Sequence, residues 1–227
     1  MGAAVKRPAQ ALVLTALGGV ALRVGVTDEY ARYVNEWMRW PLVASGLLLV
    51  ALAFTVVFEK QDDDHATTPA AWALLIPVVI AFVVQPPALG SYVAERGVNN
   101  VESVSYDKAA IAPLPDGETS DMLVYEFVAL AATYGDLLVD HDVRMTGFVT
   151  RQGDDWFVTR LTMRCCAADA SAFRVRVEGA ESPPVDQWVQ VTGRWIEGTG
   201  DSPDAVEPPA VTATDVTPVD EPRRPYE

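Results

Sequence analysis

Three apolar segments dominate the first 92 residues, at about residues 9–26, 41–58 and 72–92. Segment 41–58 contains no charged residue, and a helix needs about 20 apolar residues to cross the hydrocarbon core of a bilayer. Pro77 and the Pro86-Pro87 pair would kink or end a helix in the third segment. The pattern predicts a membrane-embedded α-helical region over residues 1–92 with three spans.

The pattern changes after residue 92. Residues 93–118 have the composition of an extended linker. An apolar face at helical spacing then predicts one helix, with Thr119 or Ser120 as its N-cap and Gly135 as its stop. The residues of that face are Leu123, Phe127, Leu130, Ala131 and Tyr134.

Apolar and polar residues alternate with a period of two beyond residue 142, which is typical of β-strands. Five such stretches occur, at residues 143–149, 156–166, 173–177, 189–195 and 210–216. Gly147 and Gly193 lie in two of them, where a strongly coiled strand would bend. We therefore predict a soluble β-rich domain, an OB-like five-stranded small barrel preceded by a helix, with its core at residues 119–198. Residues 199–227 would hold the last strand and an acidic, Pro-rich tail that is partly disordered.

The charge of the chain is uneven. The formal net charge is -14, and 24 of the 31 acidic residues lie after residue 92. An acidic domain repels phosphate backbones, so nucleic acid is excluded as a partner class.

No Ser-His-Asp arrangement, phosphate-binding loop or His-rich zinc signature is present, and we predict no enzymatic activity. Four basic residues are expected on solvated strand faces: Arg160, Arg164, Arg174 and Arg176.

Cys165 and Cys166 are the only cysteines of the chain and are adjacent. They could close only a strained bridge, because ordinary disulfides need Cα atoms about 4.4–6.8 Å apart. Together with Asp169 they form a candidate metal site for zinc or a similar divalent or soft ion, with His141 or a partner as a further ligand. On a strand the two thiols would face opposite sides, so the site requires a turn at this position. Two alternatives remain: a buried structural pair, and a redox pair.

A second, weaker metal candidate is the hydrophilic loop between the second and third apolar segments. It contains Asp62, Asp63, Asp64 and His65, which are chemically able to hold a divalent cation. A loop that separates two membrane helices needs polar residues in any case, and that interpretation is favoured.

Several stretches are similar to one family. They are Pro86-Pro87-Ala88-Leu89, Arg96-Gly97-Val98, residues 142–149, 157–160, 165–170 and 188–193, and Arg224-Pro225-Tyr226. They resemble the YcgQ-like permease-subunit family, whose conserved domain has no established function. The resemblance implies a small bacterial membrane protein that pairs with a larger polytopic permease and acts in metal-ion homeostasis.

Three functional hypotheses follow. The first is an accessory subunit of a two-component permease, multi-pass in the plasma membrane, with the β-domain on the extracytoplasmic side and a permease and the lipid bilayer as partners. The second is a membrane-anchored thiol redox protein. The third is a non-catalytic scaffold or docking module.

Overall fold

The computed structural model describes residues 6–58, 76, 79–80, 89–94, 114–115, 117–201 and 207–227. The chain forms two compact units, Met1–Pro87 and Ala88–Glu227. Most of the predicted third span and of the 93–118 linker lies outside the described residues, as does the whole 62–65 loop.

The first unit contains two helices, α1 (Lys6–Val26) and α2 (Arg39–Phe58). Short 3-10 turns at Asp28–Arg32 and Glu36–Met38 connect them. Glycine permits close packing of the pair, because a Cβ on Gly18 would lie 2.8 Å from Cγ2 of Val50. The predicted segments 9–26 and 41–58 are therefore both helical.

One helix of the described part of the chain, Glu36–Phe58, is long and apolar enough to cross a membrane by its length and composition. Gln10–Val26 is apolar but shorter. Large apolar side chains of α2 are exposed in the isolated chain, with Leu48 and Phe54 each 60% exposed. A core helix of a soluble protein or a signal sequence can satisfy the same criteria, so membrane insertion stays a prediction.

The second unit is a mixed sheet with a helix before its long strands. Its short elements are α3 (Ser91–Ala94) and β1 (Ser120–Asp121), followed by α4 (Val124–Tyr134). The long strands are β2 (Asp142–Gln152), β3 (Asp155–Thr162), β4 (Ser171–Glu178), β5 (Trp188–Trp195) and β6 (Ala210–Pro218). All five predicted strands are present, although the second ends at Thr162 and not at Cys166. β1 is a sixth strand that the alternation did not indicate.

The strand order is β1-β2-β3-β4-β6-β5, and β2 also pairs with β5. The pairings β2–β3–β4–β6–β5–β2 therefore form a ring of five strands. β1 is parallel to β2 and β4 is parallel to β6, whereas the other pairs are antiparallel. β2 pairs with β5 up to Phe148 and with β3 from Phe148 onward. Gly147 lies at this change of partner, and a Cβ there would be 2.5 Å from the carbonyl oxygen of Thr159.

Helix α4 packs its apolar face on the inner side of the sheet. Phe127, Leu130 and Ala131 are buried as predicted, together with barrel residues such as Val158 and Val175. The prediction was wrong at the start of the helix. Leu123 is the N-cap and is 42% exposed, and Ser120 belongs to β1 instead of capping α4.

A second, smaller cluster forms on the outer face of the sheet. Phe148, Leu161, Ala172 and Ala94 are its buried members, and Leu89, Trp188 and Tyr226 pack against them. Tyr226 also forms a parallel bridge with Leu161. The expected disorder of the tail is therefore wrong for residues 224–227, which the outer cluster and the edge of β3 hold in place.

Candidate functional site

The two cysteines lie in a turn between β3 and β4, which we call the thiol turn (residues 164–169). β3 ends at Thr162, and a 3-10 turn at Ala167–Asp169 precedes β4. Both cysteines are free thiols and half-buried. The turn that the metal hypothesis required is present, so the strand rule of opposite faces does not apply to this pair.

Asp169 closes the thiol turn through its side chain. Its Oδ1 accepts the backbone N–H of Arg164 at 3.0 Å, and its Oδ2 accepts the backbone N–H of Cys165 at 2.9 Å. The backbone N–H of Asp169 in turn donates to the carbonyl of Cys166 at 2.9 Å. Two hydrogen bonds therefore orient the carboxylate toward the residues that carry the thiols, and the backbone bond closes the turn.

The thiols and the carboxylate converge. The Sγ atoms of Cys165 and Cys166 are 3.6 Å apart, and both lie within 4.8 Å of a carboxylate oxygen of Asp169. Two zinc–sulfur bonds of about 2.3 Å that meet at a tetrahedral angle place the sulfurs about 3.8 Å apart, whereas a linear arrangement requires about 4.6 Å. The observed separation fits a tetrahedral ion.

The carboxylate of Asp169 disfavours ionisation of the Cys165 thiol. A hydrogen bond to Asp169, followed by one to Cys166, raises the pKa of the Cys165 thiol to about 12. The hydrogen bond from Cys165 lowers the pKa of Asp169. A protonated thiol is a poor nucleophile, and a metal ion would have to displace its proton.

The other predicted ligands are not in this cluster. His141 precedes β2 and its backbone N–H donates to the carbonyl of Leu138. Among the residues that the structure describes, the group with converging ligand atoms consists of Cys165, Cys166 and Asp169, without His141. Asp62, Asp63, Asp64 and His65 lie outside the described residues.

Sequence reasoning missed a buried ion pair close to the thiol turn. Arg160, expected on a solvated face, is only 8% exposed and stacks over the Trp188 ring at 4.8 Å. Its Nε lies 3.9 Å from Oε1 of Glu227, whose side chain is 2% exposed. The alternation in β3 placed Arg160 on the outer face, but no local signal indicated that Trp188 and residues 224–227 would cover that face.

The carboxylate of Glu227 binds the first turn of α4. Oε1 accepts the backbone N–H of Val124 at 3.0 Å, and Oε2 accepts that of Tyr125 at 3.1 Å. Burial raises the pKa of Glu227 to about 6, although the two N–H donors and Arg160 act in the opposite direction. A free backbone donor at a helix start favours a carboxylate partner, which explains why Glu227 is accommodated there.

The sequence comparison bears on this same part of the chain. Residues 121–227 match the DUF1980 C-terminal domain. The matched stretch of this domain of unknown function begins in β1 and contains the whole ring of strands, the thiol turn and Glu227. No curated protein matches the chain.

Proposed function

We propose that the DUF1980-like domain binds zinc or a similar thiophilic dication at Cys165, Cys166 and Asp169. The observation that carries this proposal is the convergence of two thiols and an oriented carboxylate on one short turn. On binding, both thiols would release their protons and coordinate as thiolates. The ion would then neutralise much of the negative charge that accumulates at the turn.

The separation of the sulfurs favours tetrahedral coordination of a dication over linear coordination. The 3.6 Å separation of the sulfurs is close to that of a tetrahedral zinc site and well below the value for linear coordination. The backbone donors of Arg164 and Cys165 hold the carboxylate as the outer hydrogen bonds of a metal site do.

Metal binding is favoured over thiol redox chemistry. Efficient thiol exchange needs a thiolate near neutral pH, and the carboxylate of Asp169 disfavours a thiolate at Cys165. A bound dication favours the thiolate at Cys165, and the carboxylate of Asp169 then adds to the attraction between the ion and its ligands. We therefore retain the redox function only as the alternative outcome of the experiment below.

We further propose that the ring of strands is an OB-type barrel and that it presents the thiol turn as a module of a membrane transport assembly. The strand order and the parallel β4–β6 pair support the barrel. The exposed apolar face of α2 supports contact with the lipid bilayer or with a membrane protein. We propose that the membrane protein is a larger polytopic permease. In this proposal the protein is an accessory subunit in metal-ion homeostasis at the plasma membrane, with an extracytoplasmic β-domain.

The first test is a titration of the purified full chain in detergent with Zn²⁺ and, for spectroscopy, Co²⁺. We expect one equivalent to bind and to produce sulfur-to-cobalt charge-transfer absorption. The Cys165→Ser/Cys166→Ser variant should lose binding, and Asp169→Asn should weaken it. His141→Ala and the exposed-turn variant Asp154→Asn are matched controls that should bind as the wild type does.

The titration separates the hypotheses. Equal binding by the wild type and the double cysteine variant would overturn the proposed site. A chain that binds no metal but undergoes reversible two-electron oxidation at the cysteines would support the redox alternative. The transport role has its own test, which is the metal content of cells that lack the gene compared with cells complemented by the wild type or by the double variant.

A further inference from the structure

Residues 224–227 form a short extended segment along the end of β3, which we call the 224–227 segment. The backbone N–H of Glu227 donates to the carbonyl of Leu161 at 2.9 Å, and the main-chain oxygen of Glu227 accepts the N–H of Met163 at 3.3 Å. Tyr226 forms the parallel bridge to Leu161. The segment therefore acts as a further strand beside the last residues of β3 and those that follow it.

Side chains anchor this segment at three places. The Nη2 of Arg160 donates to the carbonyl of Arg224 at 2.8 Å, and the hydroxyl of Tyr226 accepts the N–H of Leu89 at 3.0 Å. The carboxylate of Glu227 binds the N–H groups of Val124 and Tyr125 at the start of α4. The segment thus connects β3 to α4, and it is distant in sequence from both elements.

The thiol turn begins where this support ends. Met163, the last residue bonded to the segment, is followed by Arg164 and Cys165, whose N–H groups bind Asp169. The N–H of Met163 donates to the main-chain oxygen of Glu227, and the backbone of Met163 leads directly into the turn. A displacement at Glu227 would therefore move Cys165 relative to Asp169.

We propose that Glu227 is a positioning residue for the thiol turn. Its carboxylate, held by α4 and Arg160, keeps the 224–227 segment on β3 and so holds the two thiols and Asp169 in their converging arrangement. The consequence for metal affinity rests on the proposed function, whereas the positioning itself does not. The weakest contact of the anchor is that between Arg160 and Glu227, because the Nε of Arg160 has no hydrogen-bond partner among the described residues.

The test compares Glu227→Ala and Glu227→Asp in the full chain in detergent, with Glu221→Ala as the matched control. Glu221 is an exposed carboxylate that precedes the same segment. Glu227→Ala should weaken Co²⁺ binding by about fivefold or more and change the charge-transfer spectrum, since coupling between sites is commonly of this size. Glu227→Asp retains the carboxylate at a shorter reach and should recover part of the affinity. Glu221→Ala should bind as the wild type does.

A metal-free readout separates this inference from the metal function. Backbone amide exchange should become faster at Met163, Arg164 and Cys165 in Glu227→Ala, while Val191 in β5 exchanges as in the wild type. That pattern would support the positioning role even if no variant binds Co²⁺. A lack of Co²⁺ binding by every variant would overturn only the proposed metal function. Unchanged exchange at the three amides in folded Glu227→Ala would overturn the inference, whatever the metal titration gives. If Glu227→Ala does not fold, the same comparison is made with Glu227→Asp.

Discussion

The side chain of Asp169 accepts the backbone N–H of Cys165 at 2.9 Å, and the same carboxylate raises the pKa of the Cys165 thiol to about 12. One carboxylate therefore both shapes the thiol turn and determines the protonation of the thiol beside it. A ligand set that is ordered before metal arrives loses little conformational entropy on binding, which favours affinity.

Asp169→Asn tests the electrostatic half of this relationship. Removing the negative charge should lower the pKa of the Cys165 thiol from about 12 toward the ordinary range of a thiol, because the anion no longer opposes the thiolate. Alkylation by iodoacetamide at pH 8 should become about tenfold faster or more. The measurement is the alkylation rate at Cys165 followed by mass spectrometry, with Asp154→Asn as the control. An unchanged rate would show that Asp169 does not govern this thiol.

The stability of the domain should depend on pH through Glu227. Its pKa is about 6 in the folded chain against an ordinary value of 4.5, so the folded state binds the proton more tightly than the unfolded state. The stabilising contribution of the protonated form is complete below about pH 4.5 and is lost as the pH rises through 6. The loss amounts to about 2 kcal/mol in the free energy of unfolding.

Glu227→Gln is the variant that isolates this contribution, because glutamine does not titrate. Urea unfolding followed by tryptophan fluorescence between pH 4.5 and 7 should show a slope for the wild type and a flatter profile for Glu227→Gln. The pKa of Asp142 is lowered from its ordinary value of 3.8, so its contribution to stability is lost as the pH falls. That loss occurs below pH 3.8, outside this window. Identical profiles for the two proteins would contradict the burial-driven pKa of Glu227.

Arg160→Met should destabilise the domain strongly. The substitution leaves the buried carboxylate of Glu227 without its cation and removes the bond to the carbonyl of Arg224. Breaking a buried pair on one side costs about 3–5 kcal/mol, and the 3.9 Å separation of the two groups, without a hydrogen bond from the Nε of Arg160, places the expected loss at the lower end. The double variant Arg160→Met/Glu227→Gln should be less destabilised than the sum of the two single variants. Additive losses in the free energy of unfolding would mean that the two side chains do not interact.

Gly147→Ala should destabilise the ring of strands. A Cβ at this position would be 2.5 Å from the carbonyl oxygen of Thr159, which is backbone and has little freedom to move. Forcing extra volume into packed structure costs about 1–3 kcal/mol, and we expect the upper part of that range. Gly19→Ala is the control, since a Cβ there meets nothing within 4 Å. Thermal unfolding measured by circular dichroism compares the two, and equal melting temperatures would contradict the proposed close approach of β2 and β3.

Local pattern was sufficient to predict helices α1, α2 and α4 and the five long strands. Hydrophobic length and periodicity are properties of neighbouring residues, and they are expressed wherever tertiary contacts agree with them. The same pattern also identified Cys165, Cys166 and Asp169 as a candidate ligand set, because all three lie within five consecutive positions. Local pattern wrongly placed Leu123 on the buried face of α4 and the N-cap at Thr119 or Ser120. In the structure Ser120 pairs with β2 as part of β1, and Leu123 is the N-cap.

The sequence by itself determined the approximate positions of helices α1, α2 and α4 and of the five long strands, since those preferences arise within a few residues. Only the tertiary structure decided that β2 pairs on both edges, that Arg160 is buried, and that Glu227 binds the start of α4 from 103 positions away. These features depend on contacts between distant residues, whose formation rests on the closure of the whole ring and not on any local preference. The arrangement that supports the thiol turn is therefore a property of the fold, although the ligands themselves are visible in the chain.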